Sequence, residues 1–143
     1  MCKKTIGRID RANFPELNFQ DIPIKIDTGA YTSSIHCTEI EEKDGKLNCV
    51  FIAQKDSSYN EKKITFASYK KVIVKSSNGI AQDRYVIEST IELFGNTYKI
   101  SLSLNDRNDM KFPVLIGRKF LNGKFIVDPA LENISAKVQK TSS

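Results

Sequence analysis

The chain has 143 residues, 40% of them apolar, enough for one domain that buries roughly two thirds of the surface its unfolded form exposes. Only 7 Gly and 4 Pro exclude a collagen-like or disordered chain. The net charge of +5 comes from bases interleaved with acids, as in the run from Glu39 to Asp44, so it describes a solvated surface that permits an acidic partner without requiring one.

Taken in order, residues 5–11 read as a first short strand, and Phe14-Pro15-Glu16-Leu17 as a connector, because proline disfavours helix at the residue before it. Ile22, Ile24 and Ile26 then alternate with Pro23, Lys25 and Asp27, the two-residue period of a half-buried strand. An acid at the end of that strand is followed by Thr28 and by Gly29, which can turn sharply and expose its N–H. Strands follow over 35–41 and 47–54, joined by the hairpin turn Asp44-Gly45. That register places Cys37 opposite Ile52 and Cys49 opposite Ile40, which argues against a bridge between them. Residues 56–63 carry no period and read as a surface loop.

Strands over 64–77 and 80–94 meet at Asn78-Gly79, a strong short hairpin signal. Gly95-Asn96 marks a further turn before an alternating strand over 97–104. After a polar loop over 105–111, the apolar run from Pro113 to Ile116 enters Gly117, Arg118 and one short helix. A last strand over 125–127 stops at Pro129. The fold class expected is all-β, a closed barrel with one short helix, in a domain over 5–130 with a tail or dimer arm over 131–143.

Asp27-Thr28-Gly29-Ala30 and the later Ile116-Gly117-Arg118 resemble the two motifs of a retropepsin-like aspartic peptidase half-domain. More narrowly, the chain is similar to a bacterial and archaeal retropepsin-like family associated with ATP-grasp ligases that add glutamate to a ribosomal protein. Thr32-Ser33, Ile35-His36, Met110, Pro113 to Arg118 and Val127-Asp128-Pro129 fall where that family's motifs fall. The resemblance implies an aspartic endopeptidase with Asp27 catalytic and Thr28, Gly29 and Ala30 forming the supporting loop. It implies a flap with its tip at Asn78 and Gly79, and Ile116, Gly117 and Arg118 as structural neighbours. The hairpin around Asp44-Gly45 is then an insertion. Viral members carry an Asp after the Ala, where this chain has Tyr31, so the partner of Arg118 is open, with Asp128 one candidate.

Peptide hydrolysis by this route takes two carboxylates sharing one proton. The chain holds no second Asp-Thr/Ser-Gly, so a homodimer pairing Asp27 of each subunit is required. No cofactor and no metal are expected. His36 is the single histidine, and its neighbour Cys37 points to the other face of a strand, so a zinc-dependent hydrolase is the weaker alternative. The other alternative is a non-catalytic peptide-binding or regulatory module on the same fold. Expected partners are a peptide or protein, acidic in the case of a glutamate-modified ribosomal protein, and a glutamate ligase. Lys70-Lys71 and Arg107 are scattered, without a nucleic-acid signature. Cys2, Cys37 and Cys49 form no disulfide framework, and neither a leader after Met1 nor a membrane-length apolar run is visible, which sets a cytoplasmic expectation.

Overall fold

The computed structural model describes residues 3–55, 58–75, 79–106 and 111–136. The first strands are β1 (Lys4–Ile6), β2 (Ile9–Phe14), β3 (Phe19–Ile26), β4 (Ser33–Lys43), β5 (Lys46–Lys55) and β6 (Ser58–Phe66). They are followed by β7 (Lys70–Lys75), β8 (Ala81–Leu93), β9 (Asn96–Asn105), β10 (Val114–Ile116), the helical turn α1 (Arg118–Leu121) and β11 (Phe125–Val127). A 3-10 turn over Pro15–Leu17 is a second short helix beside the one expected.

Strands β10, β3, β2, β8, β9 and β4 pair in that order, and β4 pairs back onto β10, closing a six-stranded barrel. The all-β closed barrel is thus what the sequence implied. Ile22, Ile24 and Ile26 are buried, as their alternation requires, and meet Ile87, Ile91, Leu102, Val114 and Ile116 in one core. Strand β5 continues outward from β4 and β6 from β5, while β7 extends β8.

Several local expectations need correction. Residues 5–11 are two strands, because β1 pairs parallel with β11 whereas β2 pairs antiparallel with β3. Gly7 permits the crossing between them: a Cβ there would lie 2.2 Å from the Leu131 carbonyl oxygen. Residues 58–66 form strand β6 rather than a surface loop. Lys62 hid that strand, since it stands in the half-buried row with Ile64 and Phe66. Its ammonium stands over the Phe19 ring, 4.8 Å from the centroid, and donates to the Asn18 carbonyl at 2.7 Å. The run over 64–77 breaks after Phe66, and β7 starts at Lys70.

Turn registers also shift. Asp44-Gly45 forms its two-residue turn as expected, with φ values of 53° and 73°. A bulge then intervenes, Glu39 having φ 51°, so Cys37 faces Phe51 instead of Ile52. Cys49 becomes the diagonal neighbour of Cys37. Both thiols are free and buried. The Cys37 thiol is pushed up by its hydrogen bond to Cys49 and by burial, and the same bond lowers Cys49. The β8–β9 turn is Phe94-Gly95, since Leu93 pairs with Asn96. Lys75 pairs with Ala81 across the β7–β8 hairpin, and Asn78 of the expected Asn78-Gly79 turn lies outside the described residues.

The inward row of β2 is Asp10, Ala12 and Phe14, an acid among apolar groups. Asp10 is fully buried and accepts three backbone N–H bonds, from Arg11 at 2.7 Å, Ser135 at 3.0 Å and Ala136 at 3.2 Å. Residues 131–136, the start of the segment read as a tail or arm, are thereby held against β2, with Asn133 N–H donating to the Ile9 carbonyl at 2.8 Å. Asp10→Ala should cost about 2–3 kcal/mol, because it leaves buried donors without acceptors. Asp10→Asn, which keeps one acceptor oxygen, should cost less. A denaturation midpoint unmoved by the alanine variant would refute this role.

Candidate active site

Asp27 follows the last residue of β3, where the barrel face ends. Its N–H donates to the Ile116 carbonyl at 2.8 Å, which ties the acid to the end of β10. The Gly29 N–H donates to Asp27 Oδ1 at 3.1 Å, and the Ala30 N–H to the Asp27 carbonyl at 3.2 Å. The four residues make a tight turn that carries the carboxylate half-exposed. Among the described residues, the Gly29 amide is the one hydrogen-bond donor to that carboxylate. Among the described residues no donor reaches its other oxygen, which can meet a water, a substrate or a second acid.

The position of this loop depends on β10. That strand runs parallel to β3, with Ile116 opposite Ile26, and antiparallel to β4, with Val114 opposite Ile35. It lies between the strand that enters the Asp27 loop and the strand that leaves it. Gly117, at its end, meets the loop at close range: a Cβ there would be 2.6 Å from Thr32 O and 2.7 Å from Tyr31 O. The Gly117 N–H donates to Ser33 Oγ at 3.0 Å, Arg118 N–H to Ala30 O at 2.9 Å, and Lys119 N–H to Tyr31 O at 2.8 Å. Loop 27–33 is held along its length by backbone from 116–119.

Arg118 closes the arrangement with its side chain. Its Nη1 donates to the Thr28 carbonyl at 2.9 Å, and its guanidinium stands 5.8 Å from the Tyr31 ring centroid. The partner of Arg118 is therefore the site loop and not Asp128, whose carboxylate accepts from Ala130 N–H at 3.0 Å. Tyr31, 57% exposed, offers an aromatic face beside the Asp27 turn.

The structure thus brings together Asp27, Thr28, Gly29, Ala30, Ile116, Gly117 and Arg118. Gly79 follows β7 in the chain with φ 78°, and no hydrogen bond among the described residues joins it to the Asp27 loop. Asn78 falls outside the described residues. The β7–β8 hairpin is tied at its base to the β4–β5 hairpin: Tyr69 Oη donates to Glu42, and Lys71 Nζ sits 3.5 Å from both Glu42 and Asp83. The Tyr69 hydroxyl and then Lys71 hold the Glu42 carboxyl below its ordinary range.

Sequence reasoning left two contributors without a role. Ser33 is buried and serves Gly117, and Tyr31 faces Arg118. Both positions stood in or beside quoted motifs, but a hydroxyl that accepts a long-range amide leaves no periodic trace. His36 donates its backbone N–H to Pro113 O at 2.7 Å, and its Nδ1 is buried without a partner among the described residues. No group of three His, Cys, Asp or Glu side chains among the described residues could hold a metal ion. Asp106 lines a different cleft, with Ile40 and Gln82. No helix among the described residues is long and apolar enough to cross a membrane.

A family profile described as "Retropepsin-like aspartic endopeptidase RimB" matches residues 5–138. A "Probable alpha-L-glutamate ligase" of Shewanella pealeana is 36% identical over 134 residues, 90% of this chain and 29% of that protein. A ligase of the same description from Desulfotalea psychrophila is 32% identical over 150 residues, 99% of this chain and 32% of that one. The chain therefore spans about three tenths of the curated relatives it matches. The crystal structure of a Legionella pneumophila protein of unknown function superposes with a TM-score of 0.67 at 25% identity, covering 94% of this chain and 99% of that one.

Proposed function

Since the chain belongs to the RimB-like family of retropepsin-like aspartic endopeptidases, we propose that it hydrolyses peptide bonds with a dyad of Asp27 residues, one from each subunit of a homodimer. The observation that carries the reading is a half-exposed carboxylate fixed by one amide on one oxygen and left open on the other. One such acid is half of a dyad. A second copy related by a two-fold axis would bring its own Asp27 opposite the first.

In the dimer, like charges held close share one proton, so one carboxylate is ionised and the other protonated. The ionised acid accepts a proton from the attacking water, and the protonated acid donates to the scissile carbonyl oxygen. Collapse of the resulting diol passes a proton to the leaving nitrogen and frees both product ends. Thr28 would tie the two loops across the axis, Gly29 would hold its carboxylate by the N–H, and Ala30 would keep the loop floor small. Arg118 holds the loop from outside through Thr28. Asn78 and Gly79 would close over the peptide and exclude water.

The substrate we propose is a glutamate-modified ribosomal protein, and the partner a glutamate ligase acting on the same tail. Support comes from relatives named as probable glutamate ligases, in which this stretch occupies about three tenths of the chain. The same observation favours the second reading, a non-catalytic module that holds the tail beside a ligase. Dilution separates the two. A shared dyad predicts that specific activity falls as the protein is diluted below its dimer dissociation constant, in step with the monomer fraction seen by sedimentation. Cleavage at constant specific activity by a sedimenting monomer would sink the shared dyad.

A further inference from the structure

Beside the Asp27 loop, a cleft of about 530 Å³ opens between the β7–β8 hairpin and α1. Thr32 and Ser33, where the chain leaves the site loop, form one end of it, and Asp27 is not among its walls. Five cations line the cleft: Lys70 and Arg84 from the hairpin, Lys99 from β9, and Lys119 and Lys124 on and after α1. A single carboxylate, Glu88, stands against them, and Ser101 Oγ donates to it, 2.7 and 2.9 Å from its two oxygens. The cleft holds an excess of four positive charges in a chain whose whole net charge is +5.

Those charges are not spent on internal pairs. Ion pairs among the described residues use Arg8, Arg11 and Lys71, none of which lines this cleft. Among the described residues, Lys124 alone of the five has its charged group hydrogen-bonded, donating to Phe120 O at 3.0 Å. Between the cations lie Val72, Val86, Ile100 and Phe120, and the Ser103 hydroxyl is buried there without a partner among the described residues. Concentrated like charge at the mouth of an apolar trough raises the local potential and favours an anion.

We propose that this cleft is an anchoring subsite for a glutamate-rich stretch of peptide, distinct from the residues that would meet the scissile bond. Glutamate fits both halves of the lining, its methylenes lying on Val72, Val86 and Ile100 while its carboxylates reach the rim. A nucleic acid strand would want open aromatic faces on which to stack, and the one ring here, Phe120, is buried. In assigning the other end of the peptide to the Asp27 dyad the inference rests on the peptidase reading, but binding at the cleft needs no dyad.

The test uses the Asp27→Asn chain and fluorescein-labelled hexaglutamate, read by anisotropy at about 0.15 M salt, where exposed charges more than about 8 Å apart are screened. Lys70→Glu with Arg84→Glu, and separately Lys99→Glu with Lys119→Glu, should each weaken binding by at least about tenfold, since two charge reversals act at close range. Lys43→Glu with Lys46→Glu, at the β4–β5 hairpin tip and outside the cleft lining, makes the same change in net charge and should leave affinity within about twofold at this screening. Glutamine versions of the cleft pairs should weaken binding in the same order, which covers any reversal that disturbs folding. Equal losses from the tip and cleft pairs would overturn the subsite, as would unchanged binding in the cleft pairs. Tighter binding of a single-stranded RNA hexamer than of hexaglutamate would also overturn it. Cleft-dependent binding by a protein that cleaves nothing supports the subsite and removes the peptidase; cleavage without cleft dependence does the reverse.

Discussion

Asp27→Asn should abolish peptide hydrolysis, by a factor on the order of 10⁴ or more, while leaving the melting temperature and the dimer in place. The substitution keeps the shape of the side chain and the oxygen that accepts from Gly29 N–H at 3.1 Å. What it removes is the ability to hold or release the shared proton. Mixed subunits sharpen the test. If each dyad takes one acid from each copy, intact sites fall as the square of the wild-type fraction, so freely exchanging equal amounts retain about one quarter of the activity. Linear loss, with half the activity kept, would mean that each subunit works alone. Hydrolysis by the asparagine homodimer at the wild-type rate would remove Asp27 from the chemistry altogether.

Gly117→Ala should have the second largest effect, and for a steric reason. The added methyl would lie 2.6–2.7 Å from backbone atoms of Tyr31 and Thr32, and backbone cannot swing aside as a flexible side chain can. The residue has φ −95°, so the cost is close approach and not an unusual conformation. Overpacking at such a contact costs about 2–3 kcal/mol, which lowers the melting temperature by about 6–10 °C in a domain of this size. The variant must also push the site loop outward and stretch the Gly117 N–H bond to Ser33. A displacement of about 1 Å at reacting groups can cost on the order of 100-fold in rate, so hydrolysis should fall even where the variant is fully folded. A Gly117→Ala protein that melts and cleaves like the wild type would show that the 116–119 backbone does not position Asp27.

Much of the barrel was legible because its signals are local. The Ile22–Ile26 alternation and the Asp44-Gly45 turn each need only a few adjacent residues to specify them. The errors cluster where a residue satisfies a tertiary demand instead of a local pattern. Lys62 stands in an inward row because two backbone carbonyls and the Phe19 face receive it, and so β6 looked like a polar loop. Phe94 takes φ 54°, a conformation its side chain disfavours, while its ring stacks on Phe125 and its N–H meets Ser135. Glu39 inserts one bulge residue and moves Cys37 from Ile52 to Phe51, a shift that no composition rule announces.

The sequence by itself determined that the chain would form short alternating strands and that one would end in an acid followed by a glycine. It did so because side-chain period and turn chemistry act between near neighbours. Only the tertiary structure decided that β10 lies between β3 and β4, bringing Gly117 and Arg118 against a loop about ninety residues earlier. Strand order is fixed by which apolar faces and unpaired backbone groups can be satisfied together, and that is a property of the closed barrel rather than of any stretch within it.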